Sequence, residues 1–173
     1  MIGRRSREAR RTATSLSRAA RAALAVALAA SVTTLTGCGL EIPSDPDGTL
    51  DRITGGQLRV GASPSGDLVV VDGTDVDGAL ADLIEGFARE HDATVEWSVD
   101  SEEDLVADLE EGSLDLAIGG ITAATPWADR VSVTRGYPGI PGSGDADVAV
   151  LLPLGENGLQ AALETYLDRE VSR

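Results

Sequence analysis

Short apolar runs alternate with longer amphipathic stretches from Leu58 to the end of the chain, and each has the period of the element it predicts. Leu58 to Ala62, LRVGA, and Thr94 to Val99, TVEWSV, read as strands, the second rich in β-branched and aromatic residues. Between them Val76, Ala79, Leu80, Leu83, Ile84, Phe87 and Ala88 share one face at helical spacing, with Asp82, Glu85, Arg89 and Glu90 mainly on the other. Leu68 to Val71 is a further extended candidate that closes at the Asp72-Gly73 turn.

Ser101 predicts the cap of a second helix, with Asp104 three residues on and Leu105, Val106 and Leu109 on its core face. Gly112 ends that helix. Leu114, Leu116, Ala117 and Ile118 then form an apolar run whose single charge is Asp115, the pattern of a parallel strand covered on both faces and placed mid-sheet. The stretch from there through Tyr137, and PGIPGSGDAD after it, read as loop or crossover without a core of their own. Ala146 to Leu152 is a last strand, and Gly155 to Val171 a last helix with Leu159, Ala162, Leu163, Tyr166, Leu167 and Val171 on one face. Strand, helix, strand, helix, strand makes two right-handed βαβ units. The expected fold is α/β, a single open, mostly parallel sheet of about four strands with flanking helices.

The first 37 residues lie outside this pattern. Seven Arg between Arg4 and Arg21 precede an apolar stretch, Ala22 to Val32, too short to span a bilayer, which is the layout of a signal peptide. Leu35-Thr36-Gly37-Cys38 resembles the lipobox of bacterial lipoproteins, which implies cleavage before Cys38 and its lipidation. Two acyl chains there would anchor the protein stably. Export by the general or the twin-arginine route stays open, since Arg10-Arg11 is followed by TATSL. Residues 38–48 read as lipidated Cys and flexible tether, and residues 49–173 as one α/β domain in which Thr49 caps a short helical turn through Ile53.

Loss of residues 1–37 removes seven of the 14 basic residues and one of the 29 acidic ones, which takes the formal charge from −15 to −21. Such a surface repels nucleic acid and anionic headgroups. Cys38 is the only cysteine, so the fold holds without an internal disulfide. His91 is the only histidine and sits at a helix end, so no Ser-His-acid triad is built around it. Asp72, Asp75 and Asp77 fail the calcium-loop pattern at Gly73 and Ile84, and read as turn and helix-start residues. No enzyme activity, cofactor or metal is expected.

Candidate chemistry concentrates where the predicted strands end. In an open α/β sheet ligands bind beyond the carboxyl ends of the strands. That selects Ser63, Ser65 and Asp67 after the first strand, and Gly119, Gly120, Thr122, Thr125 and Trp127 after the central one. Trp127 and Tyr137 are the aromatic residues placed either to stack on a ligand or to pack the loop.

These segments together resemble the extracytoplasmic solute-binding proteins that serve ABC transporters for polar amino acids. LRVGASPS is similar to that family's first strand and ligand loop, GALADL (78–83) to its helix entry, and LEEGSLDLAIGGIT (109–122) to its LxxGxxDxxIxGMT segment. SVTRGY (132–137) resembles its DFSDPY, and VAVLLPLGENGLQAALETYL its closing strand and helix. The resemblance implies one lobe of a type II periplasmic binding protein, with the second lobe replaced by loop 138–146. It also places Trp127 where the family carries the Arg that holds an α-carboxylate.

The expected function is that of a membrane-anchored extracytoplasmic substrate-binding lipoprotein of an ABC-type system, binding a small solute, an amino acid by resemblance, and serving a permease. The alternative is a lobe that no longer captures solute and acts as a protein-interaction or accessory lipoprotein. A homodimer pairing two open faces would reconcile the two.

Overall fold

The capping residues at Ser101 do what their spacing predicts: Ser101 Oγ accepts the Asp104 amide at 3.3 Å and donates to its carboxylate at 2.5 Å. In the computed structural model, residues 48–171 are described. The signal peptide over 1–37, the lipidation site Cys38 and all of the tether but Gly48 lie outside the described residues. Among those described, no helix is long and apolar enough to cross a membrane.

The elements are α1 (Thr49–Ile53), β1 (Gln57–Ala62), β2 (Val70–Asp72), β3 (Asp75–Asp77), α2 (Ala79–Glu90), β4 (Thr94–Val99), α3 (Glu102–Glu111), β5 (Leu116–Ile118), β6 (Ser132–Val133), β7 (Leu151–Leu152) and α4 (Asn157–Val171). Five strands form one sheet in the order β4-β1-β5-β7-β6. β1 pairs parallel with β4 along its whole length, Gln57 opposite Thr94 through Ala62 opposite Val99, and parallel with β5 on its other side. β7 runs antiparallel to both β5 and β6. Four of the five strands therefore point one way, and β5 lies in the middle.

Alternation along the strands sorts side chains into two cores. Leu58, Val60, Ala62, Leu116, Ile118, Val150 and Leu152 face α1, α2 and α4, where Ile84, Phe87, Leu163 and Leu167 complete a large cluster. Ala117 and Leu151 face the other way, onto Leu105, Val106 and Leu109 of α3. Covering a sheet on both faces is what makes its middle strands uniformly apolar.

Several expectations are corrected. The segment the sequence presented as loop carries the fifth strand of the sheet, a short edge strand of Ser132 and Val133, and Val131, Thr134, Tyr137 and Ile140 around it are buried. Val76 belongs to β3: Val70–Asp72 and Asp75–Asp77 make an antiparallel hairpin, so Asp72, Asp75 and Asp77 are hairpin residues rather than helix-start residues. Thr49 is the first residue of α1, capped by Gly48 without any side-chain bond. The central strand begins at Leu116, and the last strand is confined to Leu151–Leu152, with Val148 bridged singly to Thr122 and Tyr137.

Candidate functional site

Parallel pairing of β1 with β5 puts their carboxyl ends side by side, so the loops that follow them meet. The Ser63 amide donates to Ile118 O at 2.9 Å, which carries the β1–β5 ladder one residue past the strand. Ser65 then turns the chain: its amide donates to Val69 O at 2.9 Å, and its carbonyl accepts from Leu68 N–H at 3.0 Å. On the facing side, a Cβ on Gly119 would sit 3.2 Å from Ser63 Cβ, and one on Gly120 only 2.7 Å from Ser65 Oγ. Glycine at both positions lets the two loops close on each other. Ser63 and Ser65 are half-buried and Gly120 is exposed, so the junction is open to solvent.

Thr122 and Thr125 continue this rim. Thr122 is fixed by its bridge to Val148, and the Thr125 amide donates to Thr122 O at 3.0 Å. Asp67 sits apart from them. Its backbone lies against Gly142, where a Cβ would come 2.8 Å from Asp67 C, and the residue is exposed. Of the eight predicted residues, the structure thus brings Ser63, Ser65, Gly119 and Gly120 into contact, sets Thr122 and Thr125 beside them, and leaves Asp67 on the loop's outer side.

Trp127 occupies the far end of the rim and packs against the α3 core. Its indole N–H is buried without a hydrogen bond, and the Arg130 guanidinium lies 5.5 Å from the ring centroid. Arg130 is itself drawn toward Glu110 by a bidentate ion pair. Tyr137 is buried: its hydroxyl donates to Glu164 O at 3.2 Å and accepts from Arg135 Nε at 3.0 Å. Burial pushes its phenol up, against the opposing effect of the Arg135 guanidinium. Both aromatic residues serve packing in this structure, Tyr137 under the sheet edge and Trp127 along the rim.

The strand-end loops 63–67 and 119–127 contain no Lys, Arg or His. Their polar groups are hydroxyls, backbone amides and the outward Asp67 carboxylate, which suit hydrogen bonding to a polar solute better than charge pairing with a carboxylate. Among the described residues, no group of three or more His, Cys, Asp or Glu is placed to hold a metal ion.

A second polar constellation lies toward the opposite end of the strands and was not anticipated. Asp115, 1 % exposed, accepts from Arg52 Nη2 and Arg59 Nη2 at 2.5 Å each and from the Arg59 amide at 2.9 Å. Burial raises its carboxyl, but the bonds from Arg59 and Arg52 outweigh that and hold it below the usual carboxylate range. The only signal in the sequence was a lone acid inside an apolar run. Its partners join α1 and β1 to the start of β5, so the role is structural.

Comparison with protein-family models and with curated proteins finds no match. Solved structures do match. A point mutant of the arginine-bound domain 1 of TmArgBP, the arginine-binding protein of T. maritima, is 20% identical, with a TM-score of 0.62 over 72% of this chain and 99% of that one. A Salmonella typhimurium periplasmic binding protein described for high arginine specificity is 10% identical, with a TM-score of 0.57 over 68% of this chain and 94% of that one. An amino-acid ABC transporter substrate-binding protein from Streptococcus pneumoniae, bound to L-arginine, is 14% identical, with a TM-score of 0.57 over 69% and 90%. The chain has the fold of one lobe of these binding proteins.

Proposed function

From a fold shared with an arginine-bound single domain, we propose that this chain is the substrate-binding lipoprotein of an ABC-type transport system, taking an amino acid at the carboxyl ends of β1 and β5. The observation that carries this reading is the junction of Ser63 and Ser65 with Gly119 and Gly120, at the end of the sheet where such folds bind ligands. Domain 1 of TmArgBP, a single domain, has been solved in an arginine-bound form. In this reading Cys38 carries the lipid, residues 38–48 tether the lobe outside the cytoplasmic membrane, loop 138–146 stands in place of the second lobe, and a permease receives the solute. Capture and delivery require no catalytic group, and none is assigned.

An open lobe encloses less of a ligand than a closed pocket does, so affinity is expected to be modest. A thermal-shift screen against amino acids, amines and sugars tests the reading. Ligand at about 100 times its dissociation constant should stabilise the fold by roughly 2.7 kcal/mol, a shift of several degrees. Gly120→Val should abolish the shift, because its Cβ would come 2.7 Å from Ser65 Oγ and displace that side chain, at a position that is otherwise exposed. Trp127→Ala is the poorer variant, since it also removes packing from the α3 core.

One observation favours the alternative, an accessory lipoprotein that binds a protein instead of a solute. Trp127 packs where the family resemblance places a carboxylate-binding Arg, and the nearby Arg130 is engaged by Glu110. No shift with any solute from a cooperatively melting protein would put this reading first, and a doubled mass in solution would point to the homodimer.

A further inference from the structure

The two edges of the sheet differ. β6, Ser132–Val133, is only two residues long, whereas β4 has six, and among the described residues no strand pairs with its outer side. Exposed edges are ordinarily blunted by Pro, Lys, a bulge or shortness. TVEWSV has no Pro or Lys, and it matches β1 residue for residue from Thr94 to Val99, which leaves no place for a bulge. Glu96 is its single charge.

The parallel ladder decides which backbone groups lie open. The Thr94 amide donates to Gly56 O at 3.0 Å and the Asp100 amide to Ala62 O at 3.2 Å, so the even-numbered residues bond to β1. Val95, Trp97 and Val99 therefore turn their amides and carbonyls outward. Their side chains stand opposite Leu58, Val60 and Ala62, on the face that α2 packs against. That helix leaves them partly open: Val99 is 38 % exposed, and a cleft of about 290 Å³ lies between helix and strand, walled by Ala88, Ala93, Val95 and Trp97 with Glu85 and Arg89 beside them.

We propose that β4 is the docking edge for a second copy of this chain, the two strands pairing antiparallel about a two-fold axis through Trp97. A two-fold axis normal to the sheet must pass through a residue pair if apolar face is to meet apolar face, and only Glu96 or Trp97 as centre pairs nearly the whole strand. Centred on Glu96, like charges would stand directly opposite each other, which is unfavourable. Centred on Trp97, the outward amides and carbonyls of Trp97 meet those of the partner's Trp97, Val95 meets the partner's Val99, and Glu96 falls opposite the partner's Ser98. The two indoles then cover the open clefts, and Glu85 and Arg89 meet the same pair in reverse order. This interface leaves the strand-end loops free, so it differs from a dimer that pairs those faces, and solute binding there neither requires nor excludes it.

Sedimentation equilibrium of the full chain in a density-matched neutral detergent tests this. The net charge of −15 opposes the encounter, so the solution holds about 0.15 M salt, which screens charges beyond about 8 Å. Twice the protomer mass is expected. Trp97→Lys, and Val99→Pro, which removes an amide that β1 does not use, should return the protomer mass while still melting cooperatively. Gly120→Val should stay dimeric. A second measurement needs no variant: amide hydrogen exchange at Val95, Trp97 and Val99 should slow as protein concentration rises. Four results would overturn the interface: protomer mass at every concentration up to millimolar, a dimer that persists in both folded variants, loss of the dimer in Gly120→Val, or exchange at the three amides that ignores concentration. The third would move the contact to the strand-end faces, and slow exchange at protomer mass would put another segment of the same chain on the edge.

Discussion

Asp115→Ala is expected to lower stability by about 3 kcal/mol, because it leaves the Arg59 amide without its acceptor and two guanidinium groups without their counter-ion. For a domain of this length that is a fall in Tm of roughly 10 °C. The cost stays below that of a fully buried pair, since the side chains of Arg52 and Arg59 are 42% and 31% exposed and water reaches them when the carboxylate is gone. pH supplies an independent check. A carboxyl held low in the folded state contributes stability that is present above the ordinary Asp range, about pH 3.9, and lost as pH falls through the lowered value. The protein and its Asp115→Asn variant should therefore differ most near neutral pH and converge in acid. Parallel melting curves from pH 7 to pH 2 would contradict this assignment.

Gly78→Ala is expected to cost about 3 kcal/mol and to disturb the strand-end loop as well. Gly78 precedes α2 at a φ of +110°, which an L side chain adopts only with strain of about 1–3 kcal/mol. A Cβ there would also lie 2.6 Å from Leu68 O and 2.9 Å from Leu68 C. Backbone cannot swing aside as a side-chain end can, so α2 or the Ser65–Val69 turn must shift. Chemical denaturation should show the lower midpoint, and any solute bound at Ser63 and Ser65 should weaken in the same variant. A variant as stable as the parent would show that the helix entry is not held against Leu68.

Much of this was readable beforehand because local chemistry and tertiary demand agreed. TVEWSV became β4 residue for residue because its β-branched and aromatic residues suit a strand beside β1, and the Ser101–Asp104 cap formed because it depends on no distant partner. The meeting of Ser63 and Ser65 with Gly119 and Gly120 followed from parallel topology alone. Val76 failed because its spacing fits a helical face as well as the hairpin strand it occupies, with its partner Val71 across a tight turn. Strand direction is absent from an apolar run, so β7 gave no sign that it would run against β5. Asp115 announced itself as an isolated charge, but its partners lie 63 and 56 residues away in the chain, where no spacing rule reaches. Trp127 stood at a ligand position by alignment with a family pattern, yet burial against α3 decides where its ring lies.

An amide chemical-shift map of the protein titrated with L-arginine, then with other amino acids, is the measurement to make. A solute held by this single lobe should move the amides of Ser63, Ser65, Gly119, Gly120 and Thr122 most, with saturation at millimolar ligand or below and no response in Gly120→Val. A folded protein whose strand-end amides stay still for every amino acid would contradict solute capture and leave the accessory lipoprotein as the reading to pursue.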